Sequence, residues 1–132
     1  MVLIDSSVWI GLLRGVEEDV REVGLLVRGA SRAVVCGPVV QEVLQGIRED
    51  MAREKVALRL RAFPFLESTW DHYASAATLY ARLRSAGVTV PAVDALIAVH
   101  AIRANIALFT RDKHFGLMCQ YSSLALYTPS SS

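Results

Sequence analysis

Val2-Leu3-Ile4-Asp5-Ser6-Ser7-Val8-Trp9 begins with three apolar residues, passes through a carboxylate and two hydroxyls, and continues with Val8, Trp9, Leu12 and Leu13 at helical spacing. A short apolar run that feeds an amphipathic pattern reads as a buried strand passing directly into a helix. Asp5 sits on that junction with no basic residue near it in sequence.

The same juncture recurs along the chain. Ala33, Val34, Val35 and Cys36 form a second apolar run, Gly37 breaks it, and Pro38 suits a first helical turn, which places Glu42 about one turn into the helix. Thr89, Val90, Pro91, Ala92 and Val93 lead to Asp94 ahead of Ala95, Leu96, Ile97, Ala98 and Val99; Pro91 marks the helix start and Asp94 falls in its first turn. Ile106, Ala107, Leu108 and Phe109 run into Thr110, Arg111 and Asp112, a stretch short enough for one buried strand with Asp112 just beyond its end.

Strands alternating with helices argue for an α/β fold, a central parallel sheet of about four to five strands covered by helices on both faces. In such a sheet, strand C-termini and helix N-termini share one edge, where ligands bind. Asp5, Glu42, Asp94 and Asp112 then converge on one acidic pocket. An antiparallel final strand would instead carry Asp112 to the opposite edge.

The chain of 132 residues suits a single domain, 1–132, with a core large enough to need no disulfide or metal for stability. No apolar stretch approaches the roughly 18 residues of a membrane helix, and Asp5 interrupts the N-terminal candidate, so the expected location is cytoplasmic, without membrane contact. Cys36 lies in a predicted buried strand, where a thiol behaves as a small hydrophobe, so a disulfide to Cys119 is disfavoured. Neither cysteine has a partner at zinc-ligand spacing, and the three histidines are scattered. Net charge is +1; leaving out the four pocket acids makes the remainder mildly basic, compatible with a polyanionic substrate. The cations Arg48, Arg53, Lys55, Arg59 and Arg61 share their segment with Glu49, Asp50 and Glu54, so ion pairs on a solvated helix explain them as well.

Residues 17–30 carry Val20, Val23, Leu26 and Val27 at helical spacing. A helical region from 38 to about 62 splits near 49–51 and ends before Pro64, with Phe65 and Leu66 as a short strand. Ser68 or Thr69 caps a helix bearing Tyr73, Ala76, Ala77, Tyr80 and Leu83 that stops at Gly87. Leu124 to Tyr127 could form a last edge strand, and residues 128–132 read as a disordered tail.

Each acid alone has an ordinary explanation, since a carboxylate in a first helical turn complements the macrodipole by roughly 0.3–1 kcal/mol. Four together cannot all stay ionised without compensating cations. An oxygen-only set suits Mg²⁺ or Mn²⁺, which can acidify a bound water and stabilise charge on phosphodiester oxygens. Ser6, Ser7 and Thr110 could hold waters or phosphate oxygens around the acids, although Ser6 or Ser7 would serve equally as a helix cap. Arg111 and Lys113 flank Asp112 and could meet substrate phosphates, although solvated loop cations are the commoner case. His100 lies six residues beyond Asp94 and points away from it, His114 shows no evident partner, and His72 stands at a helix start, which disfavours a histidine acid–base ribonuclease.

These residues resemble the PIN-domain ribonucleases, and among them the VapC-type toxins of toxin–antitoxin pairs. The resemblance covers most of the chain and rests on Leu3-Ile4-Asp5-Ser6-Ser7-Val8-Trp9-Ile10, Val40-Gln41-Glu42-Val43, Asp94-Ala95-Leu96-Ile97-Ala98 and Thr110-Arg111-Asp112-Lys113-His114-Phe115. It implies a PIN-like parallel sheet and a homodimer. It also implies a Mg²⁺- or Mn²⁺-dependent endoribonuclease that cuts RNA such as tRNA or rRNA by attack of an activated water, leaving a 5′-phosphate and a 3′-hydroxyl. By the same resemblance Asp5, Asp94 and Asp112 are metal ligands, Glu42 is a ligand or orients water, and Ser7 and Thr110 are the hydroxyl positions. Ser6 stands where many relatives have threonine. A cognate VapB-type antitoxin is the implied protein partner, and the apolar face of Trp9, Leu12 and Leu13 is expected to contribute to its groove.

Two other readings fit parts of the pattern. A phosphoryl-accepting Mg²⁺ domain would show adjacent acids after the first strand, or a second Asp where Ser7 stands. A non-catalytic PIN-like interaction module would keep the fold without turnover.

Overall fold

A computed structural model describes residues 1–29 and 32–130. The stretch that opens the chain folds as its pattern dictates: β1 (Val2–Ile4) is buried throughout and passes at Asp5 into α1 (Ser6–Leu13). Then follow α2 (Glu17–Arg28), β2 (Ala33–Cys36), α3 (Gly37–Gln45), α4 (Asp50–Leu60), β3 (Phe65–Leu66), α5 (Trp70–Ser85), α6 (Ala92–Ala104), β4 (Ala107–Phe109) and α7 (Lys113–Met118).

The four strands make one sheet in the order β3-β2-β1-β4. Every pairing is parallel: Leu3 sits opposite Val34 on one side and Leu108 on the other, and Cys36 opposite Leu66. All four strand C-termini therefore lie along one edge, and Asp112 shares it with Asp5. The central strands carry no polar side chain because helices flank the sheet. Leu3, Ile4, Val34, Leu108 and Phe109 are fully buried, each contributing about 1.5–3 kcal/mol by leaving water.

Helix boundaries have local causes. Pro38 sits in the first turn of α3, and Pro91 is the N-cap of α6. Asn105 ends α6 in the left-handed region at φ 54°, a conformation that an asparagine tolerates. Thr69 caps α5 in a capping box in which His72 takes the place usually held by glutamate. The predicted break in the 38–62 region falls between Gln45 and Asp50.

The segment expected as a last edge strand is reduced to a single parallel bridge, Leu126 to Leu108, with Tyr127 N–H donating to Leu108 O. Its neighbour β4 is only three residues long, and Pro129 close behind has no N–H to extend a ladder. The second helix ends at Arg28 with Gly29 as its C-cap; residues 30 and 31, the last of that predicted helix among them, lie outside the described residues. Of the predicted tail, Ser130 donates its hydroxyl to Glu22, and residues 131 and 132 lie outside the described residues. Both cysteines are free, with Cys36 buried. Among the described residues no helix is long and apolar enough to cross a membrane.

Candidate metal centre

Asp5 follows β1 directly, and its position is fixed from both sides. Its N–H donates to Phe109 O on β4, while its carboxylate is the N-cap of α1. One carboxylate oxygen, Oδ2, accepts from Ser7 Oγ at 2.7 Å and from Thr110 Oγ1 at 2.8 Å. The helix-cap explanation and the site explanation for Asp5 thus coincide. The side chain caps α1, and two hydroxyls hold its Oδ2.

The loop after β4 is woven into the same network. Thr110 Oγ1 accepts from the N–H of Asp112, and Ser7 Oγ accepts from the N–H of Arg111. Asp112 in turn is the N-cap of α7 and accepts from His114 N–H at 2.9 Å. From the facing helix, Asp94 in the first turn of α6 is 6% exposed. Nδ1 of His114 lies 3.2 Å from Asp94 Oδ2 and 3.0 Å from Asp112 Oδ1. The ring nitrogen thus stands between two carboxylates, one from each helix.

Asp94, Asp112 and His114 each offer a ligand atom, and these atoms lie within 4.8 Å of one another. Asp5 and Glu42 stand outside this group but act on it through charge. Burial, and then the charge of Asp112, push the Asp94 carboxyl up to about 6; the His114 hydrogen bond offsets part of this, and Asp5 and Glu42 add smaller upward pushes. Glu42 is also raised, by burial and by Asp5 and Asp112, against the hydrogen bond it accepts from Ser6 Oγ at 2.9 Å. The buried Cys36 thiol is pushed up to about 12, by burial above all and also by Asp5 and Glu42, so it is no nucleophile here. Carboxylates that raise one another's pKa lack positive charge between them, and a divalent cation supplies it.

The structure therefore gathers Asp5, Glu42, Asp94 and Asp112 at one sheet edge, with Ser6, Ser7 and Thr110 bonded to them. Two side chains take places that their position in the sequence left open. The Arg111 guanidinium is drawn to α2, where Nη2 and Nε lie 2.6 and 2.9 Å from Asp19 Oδ1, while its backbone N–H donates to Ser7 Oγ. Trp9 is 5% exposed, donates Nε1–H to Ile4 O and packs edge-on against Phe63, so it belongs to the core; Leu13 on the same helix is the exposed residue.

His114 was missed because a histidine two residues past an acid looks unpartnered in sequence. The available signal was the N-cap: an aspartate there turns its carboxylate toward the residue two positions on. Asp19, 3% exposed on α2, was also missed. It fits only because residue 11 is glycine, since a Cβ there would fall 1.9 Å from an Asp19 oxygen. His100 is fully buried, with its Nε2 2.7 Å from Ser68 Oγ.

Comparison with known proteins gives a consistent picture. The PIN domain family model matches residues 2–119. The VapC ribonuclease Mb1587 of Mycobacterium bovis and ribonuclease VapC11 of Mycobacterium tuberculosis are each 32% identical over 131 residues, covering 94% of this chain and 96% of theirs. In solved structures, VapBC2 of Rickettsia felis bound to a promoter DNA fragment matches with TM-score 0.80 at 18% identity, covering 96% of this chain and 98% of that one. FitAcB of Neisseria gonorrhoeae matches with TM-score 0.76 at 21% identity over 98% of each chain.

Proposed function

Because the chain belongs to the PIN-domain family and is closely related to VapC-type ribonuclease toxins, we propose that it is a divalent-metal-dependent endoribonuclease toxin held in check by an antitoxin. The single observation that carries this reading is the Asp94–Asp112–His114 cluster at the sheet edge, in which one imidazole nitrogen lies 3.2 and 3.0 Å from two carboxylates.

Asp94 and Asp112 would hold the cation, with Asp5 as a third donor and His114 as a nitrogen donor or a departing proton carrier. Mg²⁺ or Mn²⁺ fits, and the imidazole tilts the set toward Mn²⁺. When bound, such a cation acidifies a water and stabilises charge on the oxygens of a phosphodiester. Around it the protein's own groups have fixed tasks. Ser7 and Thr110 lock the Asp5 carboxylate so that it need not reorganise. Ser6 orients Glu42, whose raised pKa suits a group that takes and returns a proton. The whole of 1–132 serves as one domain in this reading.

Partners follow from exposed apolar surface. Leu13 on α1 with Val16 and Val20 beside it offers a face for an antitoxin helix, and Met51 and Leu58 on α4 offer one for a second copy. A toxin–antitoxin complex from Klebsiella pneumoniae has the same fold, with TM-score 0.71 at 18% identity over 86% of this chain and 88% of that one, which supports an antitoxin partner. The reading is tested by incubating the purified chain with total RNA in Mn²⁺, in EDTA, and beside Asp94→Asn. Discrete fragments from the parent in Mn²⁺ alone support it. A folded, metal-loaded protein that cuts nothing would favour the non-catalytic module.

A further inference from the structure

A cavity of about 420 Å³ opens between α5, α6 and the loop after α7. Ser75, Thr78 and Arg82 fall at i, i+3 and i+7 on α5, one stripe of that helix. Arg103 enters from the last turn of α6, and Ser122 and Ser123 close the third side. Resting on the ribonuclease reading, we infer that this cavity holds a backbone phosphate of the RNA, several nucleotides from the scissile one, on the Arg82 and Arg103 guanidinium groups.

The charge argues for an anion. No carboxylate lines the cavity. Among the described residues neither Arg82 nor Arg103 forms an ion pair, whereas Arg53 and Arg111 each hold an aspartate. Nor is the Arg103 charge cancelled by its surroundings: burial first, and then Arg103, lower the His72 pKa below its ordinary value, and the upward push from Asp71 is smaller. Leu79 and Val99, both buried, supply the apolar part of the lining, and a charge beside such a surface is less screened than one in open water.

The hydroxyls argue for a ligand that only accepts hydrogen bonds. Thr78 Oγ1 donates to Ala74 O, and Ser122 Oγ donates to Met118 O while accepting from Leu124 N–H, so both are used within the fold. Ser75 Oγ accepts from Arg103 Nη1 at 3.4 Å, which ties the guanidinium to the cavity and leaves the Ser75 proton to donate. Ser123 makes no side-chain hydrogen bond among the described residues. What remains is a set of donors, two planar forks and two hydroxyls, and phosphate oxygens accept from all of them.

The position argues for RNA. Asp94 in the first turn of α6 and Arg103 in its last are nine residues apart, about 14 Å along one helix. That distance is about four nucleotides of stacked strand at about 3.4 Å each. A phosphate held there fixes the register of the strand over the metal centre without reading its sequence, as basic grooves do along single strands.

The test uses the full chain with Ca²⁺ in place of Mn²⁺, and fluorescein-labelled single-stranded RNA sixteen-mers of mixed sequence followed by anisotropy across a salt series. The double variant Arg82→Gln, Arg103→Gln is expected to bind about tenfold more weakly, the lower end of what a hydrogen bond to a charged group is worth. Its salt slope should fall by about 0.7, the share of one phosphate in a single strand, with Mn²⁺ affinity and melting temperature kept. Arg84→Gln, on the same helix outside the cavity, is expected to leave affinity and slope near the parent's. If it costs as much as the double variant, diffuse charge explains the binding and the cavity assignment falls. If the parent binds or cuts RNA and the double variant matches it within twofold, the assignment falls and the ribonuclease reading stands. Inorganic phosphate alone, added in EDTA, separates the other source: a higher melting temperature in the parent only, with RNA affinity equal in both, gives the cavity to free phosphate and overturns the inference. A parent that neither binds nor cuts RNA removes both readings together.

Discussion

Asp94→Asn should stabilise the metal-free protein, which separates a ligand-site acid from a structural one. The Asp94 carboxyl titrates near 6 rather than at its ordinary 3.8, so the folded state binds its proton more tightly than the unfolded state does. Stability from this group is complete below pH 4 and is lost as pH rises through 6. A shift of about two units at about 1.4 kcal/mol each makes the ionised form cost the fold about 3 kcal/mol at pH 8 and about half of that at pH 5. Asparagine keeps the shape and an acceptor for His114 while removing the charge. In EDTA, urea denaturation should therefore show Asp94→Asn more stable than the parent by up to about 3 kcal/mol at pH 8, with the gap closing toward pH 4. Adding Mn²⁺ should reverse the order, because ligand binding to the folded state stabilises the parent by RT ln(1 + [L]/Kd) and the variant much less. A variant that is less stable than the parent at pH 8 in EDTA would refute the electrostatic account of the cluster.

Other consequences follow from single contacts. Thr110→Ala removes a hydroxyl from the Asp5 carboxylate and should lower cleavage about tenfold or more, on the basis that a hydrogen bond to a charged group is worth about 1.5–3 kcal/mol; Thr110→Ser should restore it. Gly11→Ala forces the Asp19 carboxylate off its place beside Arg111 and should lower the melting temperature, and a melt equal to the parent's would mean the ion pair positions nothing. Trp9→Ala should cost about 3–5 kcal/mol of fold stability with antitoxin affinity altered only through unfolding. Leu13→Glu, in contrast, should weaken antitoxin capture while the urea midpoint stays put.

Most of the architecture was legible because short apolar runs alternate with stretches at helical spacing, and β1, β2 and β3 are followed by Asp5, Gly37 and Glu67. The parallel sheet follows from Leu3 facing both Val34 and Leu108, a consequence of helices between successive strands. What the chain did not disclose were contacts made at a distance. Arg111 and Asp19 are 92 residues apart, and nothing local says that the cation will choose α2 over the pocket. Trp9 lies on an amphipathic stripe whose inward and outward members cannot be told apart until Phe63 is packed on it. His114 looked idle because its partner Asp94 lies 20 residues earlier on another helix. The last segment failed as a strand for want of a ladder long enough to recruit it.

The chemistry itself is tested most directly by the ends of the RNA products. A water nucleophile leaves 5′-phosphate and 3′-hydroxyl ends, whereas attack by the RNA's own 2′-hydroxyl under histidine acid–base control leaves a 2′,3′-cyclic phosphate and needs no metal. End-group analysis of fragments made in Mn²⁺, in EDTA and by Asp112→Asn should give 5′-phosphate ends from the parent in Mn²⁺ only. Cyclic phosphate ends that persist in EDTA and in the Asp112 variant would contradict the carboxylate–metal account and leave His114 as the catalytic group.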